Sequence, residues 1–370
     1  MVFNHILRRT VRTAFLAALV ILGIYHFSAT TDHVLQPALF NSASGGSRRL
    51  SLQDAAPICR KHGFAPYRQP GRKVFDLFPF NVELDWLDIR LNTLAAHVDY
   101  FVIVEGRNTF TNLPKPAILE RNWDNFTAFH PQMLHYVVED PIDSTRTWDH
   151  EDFFRNALLY KTFPHFRGGQ KQANDGDVII VSDIDEIPKQ ETVELLRHCD
   201  FPARLTLRSH FYYYSFQWLH RGEQWAHPQA TVFRGLKNTI SPVDLRNGEG
   251  GPLWPFLPFV QPLKRWWQKT DLWGSTWHCS SCFATIKDMR TKMESFSHTP
   301  WNTEENRDAK TMVERVRNGI DMFGRETEIY DKVENNPDVP SYILANQEQY
   351  GYLLDRDGQE AAFKDYSSFI

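Results

Sequence analysis

Residues 176–188 read Gly-Asp-Val-Ile-Ile-Val-Ser-Asp-Ile-Asp-Glu-Ile-Pro, and this segment constrains the fold more than any other. Four consecutive β-branched residues, Val178 to Val181, describe a strand buried on both faces, as in a parallel sheet covered by helices. The run ends at Ser182-Asp183-Ile184-Asp185-Glu186, and Pro188 is expected to stop the ladder. Three carboxylates at the carboxyl end of a central strand repel one another unless a cation shares them. Oxygen ligands alone suit a hard ion such as Mg²⁺ or Mn²⁺. Open α/β sheets bind ligands at that end of their strands, which points to a metal bridging carboxylate and a substrate diphosphate.

The rest of the chain agrees with an α/β sheet. Leu84, Leu87, Leu91 and Leu94 share one face of a helix predicted over Glu83 to Ala96. A strand follows from Val98 to Glu105, ending in another carboxylate. A helix starts at Thr147-Trp148-Asp149, with Thr147 or Asp149 as its cap and Arg155 in its early turns. Alternating helix and strand predicts a mostly parallel central sheet. Arg204 to Arg208 and Phe211 to Trp218 read as later strands, Gly248 to Pro262 as a substrate-facing loop, and Asn306 to Arg317 as a polar helix.

Ahead of this body, Arg8, Arg9 and Arg12 precede an apolar run from Ala14 to Phe27. That length fits a thin early-secretory bilayer, and the preceding charge predicts a cytosolic N-terminus. The expected organisation is a cytosolic tail over 1–12, a transmembrane signal-anchor over 13–29, a stem over 30–70, a catalytic domain over 71–360 and a tail over 361–370. A cleaved signal peptide ending near Ser28-Ala29-Thr30 is the alternative. Either leader delivers the body to a secretory lumen, in a Golgi or endoplasmic-reticulum membrane. There Asn125-Phe126-Thr127 is a glycosylation acceptor, and Cys59, Cys199, Cys279 and Cys282 are expected to form two disulfides of unassigned pairing.

Several chemistries are excluded. A net charge of −4 with interspersed signs offers no basic face for nucleic acid. Gly-x-Gly-x-x-Gly after a strand, a P-loop, a zincin motif at His150-Glu151 and a Gly-x-Ser-x-Gly elbow are all absent from the sequence.

Four blocks carry a family resemblance. They are Phe75-Asp76-Leu77-Phe78-Pro79-Phe80-Asn81 with Glu83-Leu84, and Val102-Ile103-Val104-Glu105-Gly106 with Thr109-Phe110-Thr111. The others are Ser182 to Pro188, and Trp277-His278-Cys279-Ser280-Ser281-Cys282-Phe283 followed by Lys292 and Ser295 to His298. Together they resemble the β-1,4-mannosyl-glycoprotein 4-β-N-acetylglucosaminyltransferase family from about Phe75 to Leu354. Ser182 stands where that family often carries Asp.

The resemblance implies an A-type glycosyltransferase fold, with a Rossmann-like nucleotide-sugar domain behind the anchor. It implies inverting, metal-dependent transfer of N-acetylglucosamine from UDP-GlcNAc to a mannose-containing N-glycan. Asp183, Asp185 and Glu186 would form the catalytic cluster, with Asp185 on Mn²⁺ or Mg²⁺ and Asp183 near the ribose or a metal-bound water. Glu105 would meet the nucleotide or orient Arg107, and Arg155 would meet the diphosphate or pair with the acidic cluster. His278 or His298 would complete the metal shell, and Trp277 or Trp218 would stack on a sugar. Asp244, Glu249, Asp271 and Glu294 are alternatives for the base. Two other functions use the same features: a metal-dependent nucleotide-sugar phosphohydrolase, and a non-catalytic luminal glycan-binding protein.

Overall fold

The computed structural model describes residues 33–34, 50–250, 265, 268–295 and 299–369. The anchor stretch 13–29, His298 and most of the Gly248–Pro262 loop lie outside them. Among the described residues no helix is long and apolar enough to cross a membrane.

The fold is mixed α/β. Its strands longer than two residues are β1 (Val74–Phe80), β2 (Tyr100–Gly106), β3 (Met133–Val138), β4 (Val178–Val181), β5 (Glu186–Pro188), β6 (Arg204–Tyr213), β7 (Ser215–His220), β8 (Gln229–Val232), β9 (Lys269–Ser280) and β10 (Tyr330–Lys332). The central order is β9-β6-β8-β4-β1-β2-β3, with β5 paired to β9 and β7 to both β6 and β10. Pairing is parallel across β4-β1-β2-β3, and β8 then joins antiparallel to both β4 and β6. The parallel half is the predicted one; the other half is mixed.

The β-branched run behaves as a strand covered on both faces. Val178 and Ile180 point into a core with helices α2 (Leu84–Leu94) and α4 (Gln190–His198). Ile179 and Val181 point into a second core with α3 (Thr147–Tyr160). A third cluster, with Trp218, Met312 and Val316, gathers the C-terminal helices. Trp218 is therefore core, away from the cavity described below.

Some expectations change. The β4 ladder ends at Val181, and Pro188, expected to stop it, is instead paired with Thr276, because the chain turns after β4 and re-enters the sheet as β5 against β9. Arg146 occupies the α3 cap position without a side-chain hydrogen bond, so neither Thr147 nor Asp149 caps it. The later strands are one continuous β6 and a return strand β7, joined at Tyr214 with φ 65°. The polar helix starts after Asp308, whose side chain caps Ala309–Asn318. Regular structure also begins ahead of residue 71: α1 (Leu52–Lys61) lies within the stretch read as stem, and Cys59–Cys199 ties it to the end of α4. The second disulfide, Cys279–Cys282, closes the turn after β9.

Asp338 fastens the C-terminal segment to the sheet. Its carboxylate accepts from Lys189 Nζ at 2.6 Å, Trp277 Nε1 at 2.9 Å, His210 Nδ1 at 2.9 Å and Tyr212 Oη at 3.2 Å. Burial alone would raise this carboxyl, but His210 and Lys189 hold it down at about 2. A depressed acid stabilises above its unfolded value near 3.8 and loses that contribution as pH falls toward 2. Acid titration of the urea midpoint should therefore show about 2 kcal/mol less stability at pH 2 than at pH 4 from this group. Asp338→Asn should flatten that part of the curve.

Candidate active site

The parallel strands β1, β2 and β4 end together, and a cavity of about 630 Å³ opens at their carboxyl ends. Phe80 and Asn81 after β1, Gly106 and Asn108 after β2, and Asp183 and Asp185 after β4 all line it. Gly106 is required by close packing: a Cβ there would sit 2.4 Å from the Phe154 ring of α3.

The Asp-x-Asp turn is held from behind by one side chain. Arg90 of α2 is fully buried, and its guanidinium takes both oxygens of the equally buried Asp76 at 2.8 and 2.6 Å. It also donates to the carbonyls of Asp183, Ile184 and Glu186 at 2.9, 3.1 and 3.0 Å, and to Ser182 Oγ at 2.6 Å. A charged fork thus fixes the turn's carbonyls in addition to the strand ladder that holds its two ends.

The three acids meet different surroundings. Asp183 accepts from Arg155 at 2.9 Å and from Arg246 at 2.7 Å. Burial would raise its carboxyl, but the two guanidinium groups keep it below the ordinary value. Glu186 is buried and accepts from Arg246 at 2.9 and 3.0 Å, from Trp225 Nε1 at 2.7 Å and from the Asp183 amide at 2.8 Å. Against the cost of burial, Arg246 holds it well below the carboxylate range. Asp185 accepts no side-chain hydrogen bond among the described residues. Burial first, then Asp183, Glu186 and Glu83, pushes it up to about 7 against the opposing pull of Lys292. Lys292 itself is paired with the buried Glu83 at 2.7 Å.

Arg246 ends the short helix α5 (Pro242–Arg246), capped by Ser241. It carries no motif, so sequence reasoning missed it; so too with Arg90 and Trp225, while Glu83 stood in one of the four blocks without a role assigned to it. Arg246→Lys keeps the charge and loses the fork that reaches two carboxylates at once. It should lower stability by about 1–2 kcal/mol in urea titration. An unchanged midpoint would show that only the charge matters.

Strand register brings His278 to the site and takes Trp277 away. His278 lies opposite Glu186 across β9 and β5, and its ring stacks on Phe211 at 4.9 Å. Burial holds it neutral, with its pKa down at about 4, and its Nδ1 is buried without a partner among the described residues. Trp277 points to the opposite face, where its indole N–H meets Asp338, so it is not on the cavity wall. Phe211, Trp225, Trp301 and Phe323 are the aromatic walls instead.

The remaining predicted residues divide in the same way. Arg155 lines the cavity and spans Asp183 and Glu151. Glu105 does not: it is fully buried, and it accepts from the Leu119 amide at 3.1 Å and faces His135 Nε2 at 3.0 Å. Its neighbour Arg107 pairs with Glu120 rather than with Glu105. Asp271 pairs with Arg208 and Glu294 with Arg307; neither they nor Asp244 and Glu249 line the cavity. Asn125 is exposed on the turn Trp123–Phe129.

The sequence profile of glycosyltransferase family 17 matches residues 6–239 and 265–359. Arg246 falls in the gap between the two stretches. The chain is 26% identical over 313 residues to the Homo sapiens β-1,4-mannosyl-glycoprotein 4-β-N-acetylglucosaminyltransferase, covering 79% of this chain and 57% of that protein. The Rattus norvegicus protein of the same name is 25% identical over 313 residues, covering 79% and 56%. The chain thus spans little more than half the length of these relatives. With the profile covering most of the sequence on both sides of that gap, the chain belongs to glycosyltransferase family 17.

Proposed function

We propose that this chain transfers N-acetylglucosamine from UDP-GlcNAc to a mannose of an N-glycan, forming a β-1,4 bond with inversion on an A-type glycosyltransferase fold. One observation carries the reading: the cavity at the parallel strand ends, where Asp183 and Asp185 stand beside Arg155 and Lys292. A nucleoside diphosphate leaves with growing negative charge, and fixed cations beside it lower that barrier. The β1 and β2 ends, under the Phe110 and Phe154 rings 5.7 Å apart, suit the nucleotide base. The wall of Trp225, Trp301 and Phe323 suits sugar rings, whose C–H faces stack on flat apolar surfaces.

The donor set fits a divalent cation in part. Asp185 and the orphaned Nδ1 of His278 are free to ligate, and Mn²⁺ accepts both oxygen and imidazole. Among the described residues no group of three or more His, Cys, Asp or Glu side chains gathers around a metal position. Water and donor oxygens would complete the shell, as is usual for Mg²⁺ at phosphates. When bound, the cation would neutralise the departing diphosphate. The chain's own contribution is Arg155 and Lys292 toward the phosphates, and Arg246 holding Asp183 and Glu186 ionised. Residues 13–29 support assignment to a Golgi or endoplasmic-reticulum membrane with the body luminal, where Asn125 is open to glycosylation.

The test follows UDP release by the full chain from UDP-GlcNAc, UDP-Gal and GDP-Man, with N-glycan or simple mannoside acceptors, in Mn²⁺ or EDTA. Release from UDP-GlcNAc that needs both metal and acceptor supports the reading. Release indifferent to every acceptor favours a nucleotide-sugar hydrolase, and glycan binding without turnover favours a lectin.

A further inference from the structure

We propose that Glu328 is the base that deprotonates the acceptor hydroxyl, held in place by His220. The assignment rests on the transferase reading above. Inversion by a single displacement needs a carboxylate beside the attacking hydroxyl, away from the leaving diphosphate.

Seven acidic side chains line the cavity, and six are unsuited. Asp183 and Glu186 are locked by arginines. Glu83 is buried against Lys292 and the amides of Asn81 and Val82, and Glu151 is paired with Arg155. Asp185 stands at the diphosphate end. Glu223 is 89% exposed, with only a 4.0 Å approach to Arg208, and nothing orients it.

Glu328 differs from all of them. Its side chain is 28% exposed, and Oε2 accepts from Nε2–H of His220 at 2.9 Å. Its second oxygen has no partner among the described residues and can accept a proton.

His220 is held tightly. It ends β7, with its ring 5.4 Å from Phe211 and 5.5 Å from Tyr330. Gly222 packs behind it so closely that a Cβ there would lie 2.7 Å from the imidazole Cε1. The ring series His220–Phe211–His278, with steps of 5.4 and 4.9 Å, runs from Glu328 to the Asp-x-Asp end. A sugar ring can therefore sit between base and diphosphate. On the wall of the same cavity, Trp301 is 37% exposed and stacks on Phe323 at 5.5 Å, a ledge for the acceptor pyranose.

In the step itself, the acceptor oxygen forms its bond to the anomeric carbon while its proton passes to the free oxygen of Glu328. The anomeric carbon–oxygen bond to the diphosphate breaks, and its electron pair leaves with the nucleoside diphosphate. His220 is a positioning residue, because it acts only through Glu328.

The experiment uses the full chain with UDP-GlcNAc and a mannose-terminated N-glycan. Glu328→Gln should lower kcat for transfer by about 10²–10⁴-fold. UDP affinity should stay within about twofold, so that the loss falls on kcat rather than on donor binding. His220→Phe keeps the ring contacts and drops the hydrogen bond, so kcat should fall by about tenfold while KM for UDP-GlcNAc stays unchanged. His220→Gln, which restores a donor, should recover part of the rate. Gly222→Ala should reproduce the His220→Phe profile.

Transfer within about threefold of wild type in Glu328→Gln would overturn the assignment and leave the transferase reading intact. So would loss of UDP binding together with transfer, or loss in Glu223→Gln instead. A wild-type chain that transfers from no donor removes the functional reading and this assignment with it.

Discussion

Asp185→Asn should abolish transfer while making the protein more stable. The substitution keeps the shape of the side chain and removes one charge. That charge sits half-buried, near Asp183, Glu186 and Glu83, with Lys292 as its main favourable neighbour. Its carboxyl is raised from 3.8 to about 7. The sign follows from linkage. An acid raised on folding binds its proton more tightly in the native state, so stability falls as pH climbs from about 4 to 7. A neutral Asn escapes that penalty, and thermal melting of the variant in EDTA at pH 7.5 should lie above wild type. Transfer should fall by about 10³-fold, equal to ~4 kcal/mol of lost transition-state stabilisation. Melting and UDP release, measured on the same preparation, check both halves. An active variant would mean that the second Asp of the motif is only a turn residue. An inactive variant with a lowered melting point would give it a structural role.

That opposition between stability and activity runs through the whole site. Asp183 and Glu186 are compensated by arginines, and their compensation is visible as hydrogen bonds. Asp185 and His278 are left without such partners, one raised and one lowered, each pushed toward its neutral form by burial. Adjacent groups in a cavity whose environments drive them apart mark a functional site better than any single shifted residue.

Legibility in the sequence followed range. The β-branched run gave β4, and the acids after it landed on the cavity, because both depend on a dozen neighbouring residues. The Trp-His-Cys-Ser-Ser-Cys block marked a cavity wall, since its disulfide pins the turn after His278. Which of Trp277 and His278 would face inward was not legible: β9 alternates sides, and a shift of one residue exchanges them. Glu105 ended a strand beside the site as expected, but its carboxylate turned into the core toward His135 and the Leu119 amide. Arg246 reaches Asp183 across 63 residues and Arg90 reaches Ile184 across 94, and no local pattern announces either contact. Glu328 meets His220 across 108 residues, beside a long-range antiparallel pairing of β7 with β10 that no local pattern announces.

Arg90→Met should have the largest effect on folding. Arg90 and Asp76 are both fully buried, and their pair is bidentate. Deleting one member strands the other as an uncompensated charge, which costs about 3–5 kcal/mol. Three turn carbonyls and Ser182 Oγ lose their donor in the same step. The double variant Arg90→Met with Asp76→Asn removes the stranded charge and should recover part of that stability, as urea titrations of the four members of the cycle would measure. Recovery should stop short of wild type, because the carbonyls of Asp183, Ile184 and Glu186 remain without the guanidinium. Transfer should not recover with stability. The double variant can fold around a neutral core, yet its Asp-x-Asp turn keeps only its own Asp183–Glu186 hydrogen bonds and the β5–β9 pairing, so UDP affinity and turnover should stay low. If activity returns together with stability, the fork only neutralises Asp76, and the turn keeps its shape through its own hydrogen bonds and the β5–β9 pairing.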